Sequence, residues 1–224
     1  MALMDCYDDD STELEDCIRA KVFERDGHVC WLCNNKEEVQ LEVAHQIDSA
    51  AIDRFSEYKA NGTIPPTVTN PDHPDNSIPL CANCHLSYDA KSPGWVLIPD
   101  AETLQKFIDH EKIDYEIRKS ESLSATVHRP RSLPSIDRST ILYHPLIITK
   151  NYTTFTAHQP RWPKRWMGEP TTVIHRAARC GLFESTPTRS FNLPGRGPGR
   201  AWQTGVPGIF QVLVGQLIRL WARK

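Results

Sequence analysis

Two cysteine pairs constrain this chain more than any other feature. Cys30-Trp31-Leu32-Cys33 and Cys81-Ala82-Asn83-Cys84 are both C-x2-C, and 47 residues separate Cys33 from Cys81. Two-residue spacing lets both thiolates of a pair meet one tetrahedral ion, and two pairs close a structural site. An ion held this way staples a long loop and adds folding energy to a small core. The competing reading is four buried free thiols. A redox role for either pair lacks the βαβ context it needs. Cys6, Cys17 and Cys180 belong to no such pattern and read as ordinary free thiols.

The 224 residues make room for one domain with an appendage, or two small ones. The segment from Met1 to Asp16 is acidic and has no apolar run, so it reads as a disordered lead rather than a secretory signal or transit peptide. The expectation is an intracellular protein with reduced cysteines, and no basic run assigns it to nucleus or cytoplasm. No apolar run is long enough to span a bilayer. Net charge is −2, but it is unevenly spread: residues 1–124 carry 11 Lys+Arg and 25 Asp+Glu, residues 125–224 carry 15 and 3. The basic half suits nucleic acid phosphates, or it folds back on the acidic half. Nothing in the sequence assigns an oligomeric state.

The patterning is α+β. Helix is expected over 12–26, where Leu14, Ile18, Val22 and Phe23 form a stripe closed by Gly27. Val39, Leu41 and Val43 alternate with polar residues as a strand leading to His45. A short helix is expected within 50–60, a strand at 77–80, a helix at 82–91, a strand at 95–98 and a longer helix over 101–119. In that longer helix Leu104, Phe107, Ile108, Ile113, Tyr115 and Ile117 supply the apolar side. Ten of the 17 prolines fall between Pro130 and Pro207, so residues 125–224 are expected to be largely irregular, with a possible terminal helix at 209–221.

Three segments line up around the cysteines: RDGHVCWLC at 25–33, LEVAHQI at 41–47 and NSIPLCANCHLSYD at 76–89. Over about residues 20–91 they resemble the HNH endonuclease family in its zinc-knuckle form, most closely the HNH domains abundant in fungal genomes. The H…N…H positions fall on His45, Asn76 and His85. The resemblance implies a ββα-metal domain over 17–91, with flanking helices, a strand and helical extension at 92–124, and structural Zn²⁺ on Cys30, Cys33, Cys81 and Cys84. It also implies metal-dependent cleavage of DNA, with Mg²⁺ or another divalent cation at His85.

The chemistry supports those roles. A histidine with an ordinary pKa near ~6.5 is neutral at working pH, so His45 at a strand end suits a general base. His85 follows a zinc thiolate directly, which fixes its direction and suits a metal ligand. Asn76 is placed to orient His45 or brace the metal site. Two positions depart from the family. Ala44 stands where many members have a metal-binding Asp or His, and Asp48 where proline is common. Asp89, one helical turn past His85, is the first candidate for the missing ligand, ahead of Asp48, Asp72 and His73. Ala44 also keeps a second reading open, a non-catalytic zinc module that binds nucleic acid or protein. A third is an adaptor that needs neither histidine. In the basic half, Arg161, Lys164 and Arg165 beside Trp162 and Trp166 are the candidate nucleic-acid contacts; the bland alternative is a solvated tail.

Overall fold

The structure is a computed structural model, and it describes residues 11–36, 41–90, 93–122, 129–147, 162–180 and 206–223. Expectations for the lead at 1–10, for Val39 and for Arg161 fall outside them. In chain order the elements are α1 (Ser11–Asp26), β1 (Leu41–His45), α2 (Ile52–Ala60), β2 (Ser77–Cys81), α3 (Ala82–Asp89), β3 (Trp95–Pro99), α4 (Ala101–Ser122), β4 (Leu142–Ile147), β5 (Lys164–Arg165), α5 (Pro170–Arg179) and α6 (Val206–Trp221). The fold is mixed α+β. Helix α1 takes in residues 11–16 of the expected lead. It ends at Gly27, whose φ of 83° only glycine adopts at little cost.

Strands β1 and β2 pair antiparallel, with Leu41 opposite Cys81 and His45 opposite Ser77. The chain passes from β2 into α3 without a linker, so the two strands and the helix form a ββα unit. Its excursion, residues 46–76, carries α2 and a small core of its own: Ile47, Phe55, Ile64 and Val68.

The second sheet has the order β3-β4-β5. Strand β3 is apolar throughout because both of its faces are covered. Trp95 and Leu97 join the first core, with Ile18, Val22, Phe23, Leu41, Ile78, Leu80 and Tyr88. Val96 and Ile98 join the second, with Leu104, Phe107, Ile174, Phe210, Val214 and Leu217. These cores cut across the boundaries expected at 91 and 124.

After residue 124, where a largely irregular region with a possible terminal helix was expected, the described residues include packed elements. Ile141, Tyr143, Trp166 and Val173 lie in the first core, and α6 is packed on α4 and α5 in the second. The prolines sit where they are tolerated. Pro170 is in the first turn of α5, behind Glu169, whose carboxylate accepts the Thr171 N–H. Among the described residues, β3 is the one strand neighbour of β4 at Pro145, since β5 reaches only Leu142 and Tyr143.

Helix α4 differs from expectation in its second half. Ile113 and Ile117 are exposed, while Glu111 and Asp114 are buried. Arg118 and Arg131 hold Glu111, and Arg118 with Ser132 holds Asp114, so the inward face is ionic. Cys17, expected as a free thiol, is disulfide-bonded, whereas Cys180 is free.

The packing of α6 yields a stability test. Leu217 is fully buried, so Leu217→Ala is expected to cost about 2–5 kcal/mol in urea unfolding. An irregular tail would leave the midpoint unchanged.

Candidate metal centre and histidine site

Four thiols converge from two turns. The first knuckle is closed by hydrogen bonds from the Cys30 N–H to the Asn35 carbonyl and from the Asn34 N–H to the Cys30 carbonyl, with Asn34 at φ 62°. The second is the junction of β2 and α3. The Trp31 N–H donates to the Pro79 carbonyl, tying one knuckle to the strand that delivers the other. The sulfurs of Cys30, Cys33, Cys81 and Cys84 all lie within 4.8 Å of one another, and Cys33 to Cys81 is 3.7 Å. Tetrahedral thiolates at ~2.3 Å from an ion would stand ~3.8 Å apart. The donor set therefore fits a metal ion such as zinc.

The four thiols perturb one another's acidity. Cys33 is lowered to about 7, chiefly by its hydrogen bond with Cys30, and Cys81 is lowered by the same neighbour. Cys30 and Cys84 are raised correspondingly.

Lys164 lies beside this cluster. Its ammonium donates to the Trp31 carbonyl (2.6 Å) and to Asn34 Oδ1 (2.5 Å), and it stands over the Trp162 and Trp31 rings. Burial lowers it to about 8, while Cys30 and Cys33 hold it up. Lys164, expected to meet phosphates, thus braces the first knuckle. Arg165 is exposed, and its carbonyl accepts the Trp31 indole N–H.

His45 ends β1. Its Nε2 lies 3.4 Å from Asp72 Oδ1 but is not aligned for a hydrogen bond. Burial lowers its pKa, against the pull of Asp72 and Asp89. His85 is on α3, and both of its nitrogens face carboxylates: Nδ1 to Glu42 Oε2 at 2.6 Å and Nε2 to Asp89 Oδ2 at 2.7 Å. The Asp89 hydrogen bond raises the His85 pKa, with burial opposing and Glu42 reinforcing. Burial pushes Asp89 up, yet His85 and Arg176 outweigh it and the net shift is down. His85 and Asp89 are close enough for their charges to act on His45.

Asn76 is fully buried, and its amide is committed to the backbone. It donates to the carbonyls of Ile47 (2.8 Å) and Pro71 (2.6 Å) and accepts the Ile47 N–H (3.0 Å). None of these bonds goes to a histidine side chain. Instead Asn76 clamps the segment leaving His45 to the turn that carries Asp72. Of the other candidates, His73 accepts the Asp75 N–H through Nδ1, and Asp48 accepts the Ala50 N–H.

Arg176 was legible only as one basic residue among many. From α5 it donates to the carbonyls of His45 (3.1 Å), Gln46 and Tyr88, and to Asp89 Oδ1 (3.0 Å). Its guanidinium lies 3.4 Å from the Tyr88 ring centroid, and the Tyr88 hydroxyl donates to Gln46 Oε1. One side chain thereby joins the end of β1 to the end of α3. No local pattern announces it, because its partners are 87 to 131 residues away.

No family model, no curated protein and no solved structure matches this chain. Among the described residues, no helix is long and apolar enough to cross a membrane.

Replacing Arg176 by Met keeps an unbranched apolar stem, removes the guanidinium and strands several acceptors. Arg176→Met is expected to lower stability by about 1–3 kcal/mol, read by chemical denaturation. An unchanged midpoint would remove Arg176 as the link between the two elements.

Proposed function

We propose that the chain is a metal-dependent endonuclease of the HNH type, hydrolysing phosphodiester bonds in DNA, with structural zinc on Cys30, Cys33, Cys81 and Cys84. One observation carries this reading. His45 and His85 share one electrostatic neighbourhood on a ββα unit whose strand–helix junction is one half of a four-cysteine cluster.

In this reading His45 takes the proton from the attacking water. Its lowered pKa keeps the imidazole neutral, and Asp72 beside Nε2 favours the charged form once the proton arrives. Rigid β1 aims the ring, and Asn76 holds the segment that follows. His85 holds the catalytic cation, Mg²⁺ or a similar divalent ion. Bound there, such an ion supplies charge stabilisation for the phosphoryl oxygens and the departing oxygen. Cys84 and Asp89 fix where His85 points. Arg161, outside the described residues, and exposed Arg165 remain the candidate phosphate contacts, while Lys164 serves the knuckle.

A second reading has a specific observation behind it. Ala44 offers no ligand, and both His85 nitrogens are taken by carboxylates. A zinc module that binds nucleic acid or protein without cleaving it would look the same.

Nicking of supercoiled plasmid by the zinc-loaded protein separates the two. The expected result is cleavage that requires added Mg²⁺ or Mn²⁺ and falls by at least about 100-fold in His45→Ala. No cleavage by folded, zinc-loaded protein selects the binding module. The pH profile adds a sign. A base with a lowered pKa stays competent below the ordinary histidine range, so the acid limb of kcat/KM should fall below pH 6.5. A limb above that value would count against His45.

A further inference from the structure

We propose that Glu42 is a ligand of the catalytic cation and fills the place that Ala44 leaves vacant, an inference that rests on the nuclease reading. Successive side chains of a strand point to opposite faces, so residues 42 and 44 of β1 share one face. Ala44 is fully buried and has no atom that binds a cation. Glu42, two residues earlier, keeps its carboxylate half exposed, and its Oε2 lies 2.6 Å from His85 Nδ1. The face has therefore kept a carboxylate directed at the third H of the motif, moved by one strand repeat. The longer glutamate side chain spans the difference.

The other side of the ring decides between Glu42 and Asp89. Asp89 Oδ2 accepts from Nε2 at 2.7 Å, and Asp89 Oδ1 is anchored by Arg176 at 3.0 Å. A metal-binding histidine ordinarily donates its remaining ring N–H to a carboxylate that is itself fixed by a further partner. Asp89 and Arg176 fit that orienting role. Nδ1 is then the ligating nitrogen and Glu42 the carboxylate beside it. The hydrogen-bonded Oε2 lies along the Nδ1 lone pair, so an octahedral ion at ~2.1 Å from Nδ1 enters as the half-exposed Glu42 carboxylate swings aside to a neighbouring ligand position, with the Nδ1 proton leaving to solvent.

The test measures Mn²⁺ uptake by the zinc-loaded full chain, from the loss of the free-ion electron paramagnetic resonance signal, alongside plasmid nicking. Zinc content and thermal melting verify that each variant is folded. Glu42→Gln should bind Mn²⁺ at least about tenfold more weakly while keeping its zinc. Adding Ala44→Asp to Glu42→Gln should recover affinity, because the carboxylate returns to the same face. If that double variant does not fold, Glu42→Gln alone decides. Equal Mn²⁺ affinity in wild type and Glu42→Gln overturns the assignment, and nicking by both would leave the nuclease reading standing. A wild type that takes up no Mn²⁺ and nicks nothing removes both.

Discussion

Four thiols within 4.8 Å of one another cannot all carry charge unless something positive lies among them. That constraint organises the rest of the molecule. One knuckle follows α1, and the other joins β2 to α3. A cation held at their centre would fix where β2 ends and where α3 begins. His85 comes one residue after Cys84, so its direction is inherited from the same cluster. Lys164 and the Trp31 and Trp162 rings cover one flank, which brings β5 of the second sheet into the same assembly.

The division of charge along the chain finds its explanation in this assembly. The acidic N-terminal half and the basic C-terminal half meet in specific pairs: Glu111 with Arg131, Asp75 with Arg138, and Asp89 with Arg176. Asp75 also faces Arg25, whose guanidinium donates to the carbonyls of Pro74 and Ser77 on either side of Asn76. Arg138, Lys164 and Arg176 thus tie C-terminal elements onto the ββα unit, its excursion and its knuckle. Arg176 does so at the histidine site itself. The second sheet and α5 are in this sense parts of the candidate site, although neither carries one of its motif residues.

Much of this was legible in local patterns. The C-x2-C pairs, the alternation before His45 and the stripe of α1 depend on neighbours two to four residues apart, and the structure places elements there. What was not legible depends on distant partners. Proline content argued against order after residue 124, but Pro145 and Pro170 occupy positions that tolerate them. Ile113 and Ile117 read as a core face, yet the inward turn of α4 belongs to Glu111 and Asp114, because Arg118 on the same helix and Arg131 beyond it compensate their charge. Asn76 was expected beside His45 and instead spends its amide on Ile47 and Pro71. Glu42 was within reach of the sequence, since strand periodicity alone puts it on the face of Ala44.

The central claim is that one ion on four sulfurs holds these parts in register. X-ray absorption at the zinc edge of the purified protein tests it most directly. The account predicts one zinc per chain with four sulfur neighbours at ~2.3 Å and no nitrogen or oxygen in the first shell. A shell containing histidine or carboxylate, or a folded protein that carries no metal, would contradict it.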